Sequence, residues 1–274
     1  MEATEMDDEL LPAVVGAVQR AGEVMAGRLP HRPEFRTRAD VVSAIYANDD
    51  ASLAILKPEL TRLRPGAGWV DDELESGLLP PGEWWVVDPV EGNVNHAHGL
   101  TDWGVTATLV RDNAPVLTAV HLPLTGDTYT AVLGGGAALN GEPLVPSAKV
   151  ELTGALVGTG QAAPGETDEV FDRIGASVTA MLKNSMVIRV SVPATLQLIQ
   201  IAAGRMEVFW QFSQVRSGLL AGALLVSEAG GVVSDTRGRP WNLGSPDFLA
   251  ATPALQSAAV DVLSAIPPLT RSVS

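Results

Sequence analysis

The 274-residue chain contains no cysteine. Disulfides, thiolate nucleophiles and cysteine-held metals are therefore excluded. Positive charge is also scarce. Lys and Arg together number 18 against 32 Asp and Glu, for a formal charge of -14. With so little to neutralise a phosphate backbone, nucleic-acid binding is not expected. A small anionic substrate stays open, because a divalent cation or a helix N-terminus can reverse the local sign. No apolar run reaches bilayer length, and the acidic start, MEATEMDDELLPAVV, is unlike the basic head of a secretory signal. The expectation is a soluble cytoplasmic protein that acts on a small molecule, without membrane or nucleic-acid partners.

What is present is a globular composition, with 46% hydrophobic and 18% charged residues. This length holds one large domain or two modest ones. Apolar spacing over residues 8–29 predicts a helix, with Pro12 tolerable only near its start. A second helix is expected from about Asp49 to Arg64, N-capped by Asp49 or Asp50, closed by Pro65-Gly66 and kinked at Pro58. A short strand in GWVDDELESG (68–77) runs into acids, and WWVVDP (84–89) reads as a buried strand ended by proline. Residues 103–110, 116–123 and 127–133 alternate like antiparallel strands. Asn140-Gly141 predicts a type I′ turn.

From Pro146 onward the pattern changes. Strands at 154–160, 186–192 and 206–212 alternate with helices at 167–182, 194–203 and 217–229, and a terminal strand-helix pair follows. This suggests an α+β half over residues 1–145 and an α/β half over residues 146–274.

The stretch WWVVDPVEGNVNHAHGL (84–100) carries the chemistry. Asp88 and Glu91 could cap a helix that starts after Pro89, or form a metal-phosphate site. His96 and His98 could be ordinary loop residues or an acid-base pair, since histidine titrates near neutrality; their spacing is not diagnostic of zinc. Arg216 could bind an anion or lie solvated on the surface. Trp84 and Trp85 read as strand core.

Taken in order, several segments carry a resemblance: DVVS (40–43), the acid pair after PGAGWV (65–70), WWVVDPVEGNVN (84–95), YTAVLGGGAALNGEPL (129–144), AGRMEVFW (203–210) and AGALLVSEAGGVVSD (221–235). Together they are similar to the inositol monophosphatase family of magnesium-dependent sugar phosphatases over nearly the whole chain. The resemblance implies a layered αβαβα sandwich with an active site between its halves, commonly in a homodimer. It also implies hydrolysis of a phosphate monoester by carboxylate-held magnesium.

Matched to the family signature, Asp72 and Glu73 correspond to the first metal-binding acids, and Asp88 keeps its identity. Val90 offers a backbone carbonyl, Glu91 stands where a second Asp belongs, and Gly92 allows backbone to approach phosphate. Three departures stand out. Asn93 replaces a water-activating Thr, whose acid partner Asp49 matches only with about three inserted residues. Gln211 replaces a substrate-contacting Glu. Gly218 replaces the last carboxylate ligand, with Arg216 close by in sequence.

The resemblance thus leaves an incomplete ligand set, with magnesium weakly held or absent and no organic cofactor. Three functions remain. The favoured one is a repurposed small-molecule enzyme, in specialised metabolism, with impaired phosphatase chemistry. The alternatives are a working magnesium phosphatase for a sugar- or cyclitol-like phosphate, and a non-catalytic ligand- or partner-binding homologue.

Overall fold

The computed structural model describes residues 3–71, 77–160, 165–212 and 216–266. Asp72 and Glu73 lie outside them. Two long helices open the chain, α1 (Ala3–Arg28) and α2 (Arg38–Leu63). Both exceed expectation. Pro12 sits well inside α1 rather than near its start. Helix α2 begins eleven residues before Asp49, because Thr37 and Asp40 form a capping box. The Thr37 hydroxyl accepts from the Asp40 amide at 3.2 Å, and Asp40 accepts from the Thr37 amide at 2.8 Å. Asp49 is therefore an interior residue of α2, not its cap.

The first sheet contains β1 (Gly68–Trp69), β2 (Glu83–Glu91), β3 (Gly104–Arg111), β4 (Ala114–Leu122), β5 (Asp127–Val132), β6 (Gly136–Leu139) and β7 (Glu142–Pro143), paired in chain order. Only β1 and β2 run parallel. Asn140 and Gly141 both have positive φ, 51° and 86°, as a type I′ turn requires. Strand β2 does not stop at Pro89. The proline's missing N–H is tolerated because Pro89 falls in the bulge between Asp88 and Glu91 and, among the described residues, β1 pairs only with Trp84 and Trp85 on the other side.

The second half holds β8 (Leu156–Thr159), α4 (Asp168–Leu182), β9 (Val187–Val190), α5 (Ala194–Ala202), β10 (Val208–Gln211), α6 (Arg216–Glu228), β11 (Val232–Ser234), β12 (Phe248–Ala251) and α7 (Gln256–Ser264). The short helix α3 (Asn93–Ala97) follows β2 in the first half. The second sheet has the order β11-β12-β10-β8-β9, with β8 parallel to both its neighbours and β12 antiparallel to both of its own. Strand β11 carried no expectation.

Packing stacks these elements in five layers. Val14, Val18 and Ala21 of α1 and Leu56 and Leu60 of α2 cover one face of the first sheet through Val87, Leu109 and Leu117. Leu198 of α5 and Leu219 and Leu225 of α6 join Val120 and Tyr129 of the first sheet to Phe209 and Phe248 of the second. Met181 of α4 and Leu263 of α7 close the far face against Trp210 and Leu249. The result is an αβαβα sandwich. Its central helical layer, α5 and α6, touches both sheets and so can place side chains beside the C-terminal end of β2.

Candidate active site

A register shift lies between Asp88, paired with Thr106, and Glu91, paired with Gly104. In a regular strand residues three apart point to opposite faces. The extra residue of the bulge removes that alternation, so both carboxylates reach one side and hydrogen-bond to each other. Neither caps the following helix. Helix α3 has Gly92 as its N-cap with no side-chain bond, while Asp88 Oδ1 accepts from the Val90 amide at 3.2 Å. The Val90 side chain is buried beside Met25 and Trp103.

Gly92 has φ of 84°, and a Cβ there would lie 2.7 Å from the Asp102 carbonyl oxygen. Both the backbone turn and the close approach demand glycine. Asn95 seals this corner by donating to the carbonyls of Asp102 at 2.8 Å and Val192 at 2.9 Å.

Asn93 belongs to a chain of polar groups leading into α2. Its amide nitrogen donates to Asp49 Oδ1 at 2.7 Å and to the Ile45 carbonyl at 3.0 Å. Its oxygen accepts from Asn48 at 2.9 Å. The other Asn48 proton reaches His96 Nδ1 at 3.0 Å, and His96 Nε2 donates to the Met25 carbonyl at 2.9 Å. His96 is thus fully buried with both ring nitrogens engaged and its pKa lowered, chiefly by burial. His98 is exposed, donates from Nδ1 to the Val94 carbonyl at 2.7 Å, and packs edge-on to Phe35. Neither ring meets Asp88 or Glu91 through a described contact.

Electrostatics sharpen the site. Burial raises the Asp88 pKa well above the carboxylate range, with Glu91 and Asp49 adding repulsion. Burial also lifts Asp49 to about 6, against the stabilising bond from Asn93. Glu91 is buried, and its Oε2 accepts from the Thr195 hydroxyl at 2.9 Å. That hydroxyl also lies 2.9 Å from the carbonyl oxygen of Gly218. A hydroxyl on α5 therefore joins the carboxylate of β2 to the first turn of α6, where Gly218 has no side chain to offer.

Arg216 and Gln211 are the remaining expected residues. Arg216 is buried rather than solvated, and its Nη2 donates to the Gly77 carbonyl at 3.0 Å. Gln211 is buried at the end of β10, its amide against Gly160. Thr195 and Asn48 had no place in the sequence reading. A threonine in the apolar run of α5 was the available signal for the first, and nothing marked Asn48.

The donor set bears directly on a metal. Among the described residues no three His, Asp or Glu side chains converge closely enough to hold an ion alone. Asp88, its pKa raised chiefly by burial and then by the nearness of Glu91, still suits with Glu91 one divalent cation that keeps most of its waters, as magnesium does. The first turn of α6 offers no carboxylate of its own at Arg216, Ser217 or Gly218.

Residues 6–267 match the model of the inositol monophosphatase family. The chain belongs to this family. It is 32% identical over 243 residues to an inositol-1-monophosphatase of Rhizobium meliloti, covering 86% of this chain and 90% of the relative. It is 36% identical over 154 residues to Nus factor SuhB of Pseudomonas aeruginosa, covering 56% and 57%. The solved inositol monophosphatase of Anabaena superposes with a TM-score of 0.79 over 96% of this chain and 98% of that one, at 24% identity, which speaks for the fold. The layered sandwich is therefore that of inositol monophosphatases, a family generally dependent on magnesium. Among the described residues, no helix is long and apolar enough to cross a membrane.

Proposed function

We propose that the Asp88–Glu91 cleft handles a small phosphate-bearing or polyol-like molecule, with the metal-dependent hydrolysis of its relatives impaired. One observation carries this reading. The Thr195 hydroxyl bridges Glu91 to the Gly218 carbonyl, at the place where a carboxylate on α6 would share an ion. A bound magnesium would be held by Asp88 and Glu91, and would supply charge neutralisation for the phosphoryl group.

The chain's own groups do the rest. Asn93 has both N–H groups committed to Asp49 and Ile45, so only its oxygen can meet a water, and an amide oxygen does not take up a proton. Asp49, with a pKa of about 6, is the group matched to accept a proton near neutrality. Gly92 brings backbone up to the cleft floor. The exposed apolar side chains Met186, Val187 and Val190 on and beside the edge strand β9 support a homodimer.

The test is a side-by-side assay with the Rhizobium meliloti relative, using magnesium and either p-nitrophenyl phosphate or inositol 1-phosphate. The expected kcat/KM is lower by about 10²-fold or more, the usual cost of losing one charge-stabilising group. Comparable turnover, abolished by Asp88→Asn, would overturn the proposal. It would establish instead the working magnesium phosphatase, which the survival of Asp88, Glu91 and the Asn93–Asp49 pair in one cleft favours as the second reading.

A further inference from the structure

Thr195 is fully buried, with no exposed surface, yet it is polar and stands between Ala194 and Leu196 in the first turn of α5. Its position is shared by two acceptors from distant parts of the chain, Glu91 on β2 and Gly218 on α6. One hydroxyl proton serves one acceptor at a time. The Gly218 carbonyl starts a helix and has a second lone pair to give, whereas the Glu91 carboxylate is buried and needs fixed donors. Once Oε2 is anchored by Thr195, the plane of the Glu91 carboxylate is set.

We propose that Thr195 is a positioning residue that fixes Glu91 for a single divalent cation and fills, through its hydroxyl, the place of the acid that α6 lacks at Gly218. This rests on the one-ion reading of the cleft. A hydrogen bond to a metal-ligating carboxylate orients the ligand, and losing such a partner lowers metal affinity by about 10–100-fold. The chemistry requires a hydroxyl, so serine will serve and valine, equal in shape, will not.

The experiment is a manganese titration of the full-length protein followed by electron paramagnetic resonance, which reads ion count and affinity without turnover. Wild type is expected to bind one ion per chain. Thr195→Ser should retain its affinity within about twofold, while Thr195→Val and the smaller Thr195→Ala should bind about 10–100-fold more weakly. Circular dichroism reports the fold of each variant, and the wild-type count stands on its own. Two ions or none in wild type, or unchanged affinity in Thr195→Val or Thr195→Ala, would overturn the proposal. So would a Thr195→Ser protein as weak as Thr195→Val. Brisk phosphatase turnover with one bound ion would sink the impaired-hydrolysis reading and leave Thr195 in its role. Two ions in wild type would sink the role of Thr195 whatever the turnover.

Discussion

Asn93 of α3 donates to Asp49 of α2 at 2.7 Å, and this single bond works against the burial that pushes the Asp49 carboxyl up to about 6. The sign of the consequence follows from linkage. An unfolded Asp titrates near 3.9, so below that value both states are protonated and no penalty exists. As pH rises through about 6 the native state must ionise a half-buried acid, and stability falls across that window. Asp49→Asn keeps an acceptor for Asn93 and cannot ionise. Thermal unfolding at pH 8 should find it more stable than wild type by about 1 kcal/mol, discounted for partial exposure, and the gain should vanish at pH 4. An equal gain at both values would mean that shape, not charge, sets the effect.

Burial, and then the nearness of Glu91 and Asp49, favours the protonated form of Asp88. A cation must displace that proton before Asp88 can ligate it. Manganese binding should therefore strengthen as pH rises and release about one proton per ion. Calorimetry in buffers of different ionisation enthalpy measures the release. No proton uptake by the buffer would show that Asp88 is already ionised or takes no part.

Asp7 anchors the start of α1 far from the cleft. It accepts from Arg111 Nη1 and Nη2, both at 2.9 Å, and from Arg64 Nη2 at 3.1 Å. Asp7→Ala takes from the two guanidinium groups their buried acid and leaves them only Glu83 to share. The expected loss is about 3 kcal/mol, the low end for a broken buried pair because both arginines keep some water. Urea unfolding reads this directly, and manganese affinity should not move.

Helices α5 and α6 pack tightly at Gly222. A Cβ there would come within 2.2 Å of Leu198 Cδ1 and 2.5 Å of Leu198 Cβ. Gly222→Ala gains about 1 kcal/mol of helix propensity but should lose more by overpacking, about 1–3 kcal/mol before that gain. Because α5 carries Thr195 and α6 carries Gly218, separating the helices should also weaken manganese binding. A stabilised variant with unchanged affinity would show that the contact relaxes without cost.

Much of this architecture was readable in the chain. Strand and helix alternation after Pro146, the hairpin at Asn140-Gly141 and the ordered motifs all rest on local patterns, and the sandwich bears them out. The start of α2 was hidden because its capping box pairs a threonine with an aspartate inside a charged stretch, RTRADVV, that shows little apolar periodicity. The run of β2 through Pro89 was hidden because a proline is a stop signal except at an edge or a bulge. The cleft divided along the same line. Asp88 and Glu91 announced themselves by motif and spacing. The bonds of Thr195 to Glu91 and of Asn48 to His96 span 104 and 48 residues, and no local pattern foretells them.

The central layer carries one more consequence. Leu198 and Leu219 lie in the same apolar cluster as Tyr129 of one sheet and Phe248 of the other. A chain cut between its halves would strip oily faces from both fragments, so heat should melt the molecule in one sharp step. Any mutation that loosens the sandwich would then dismantle the Asp88–Glu91 corner at the same temperature.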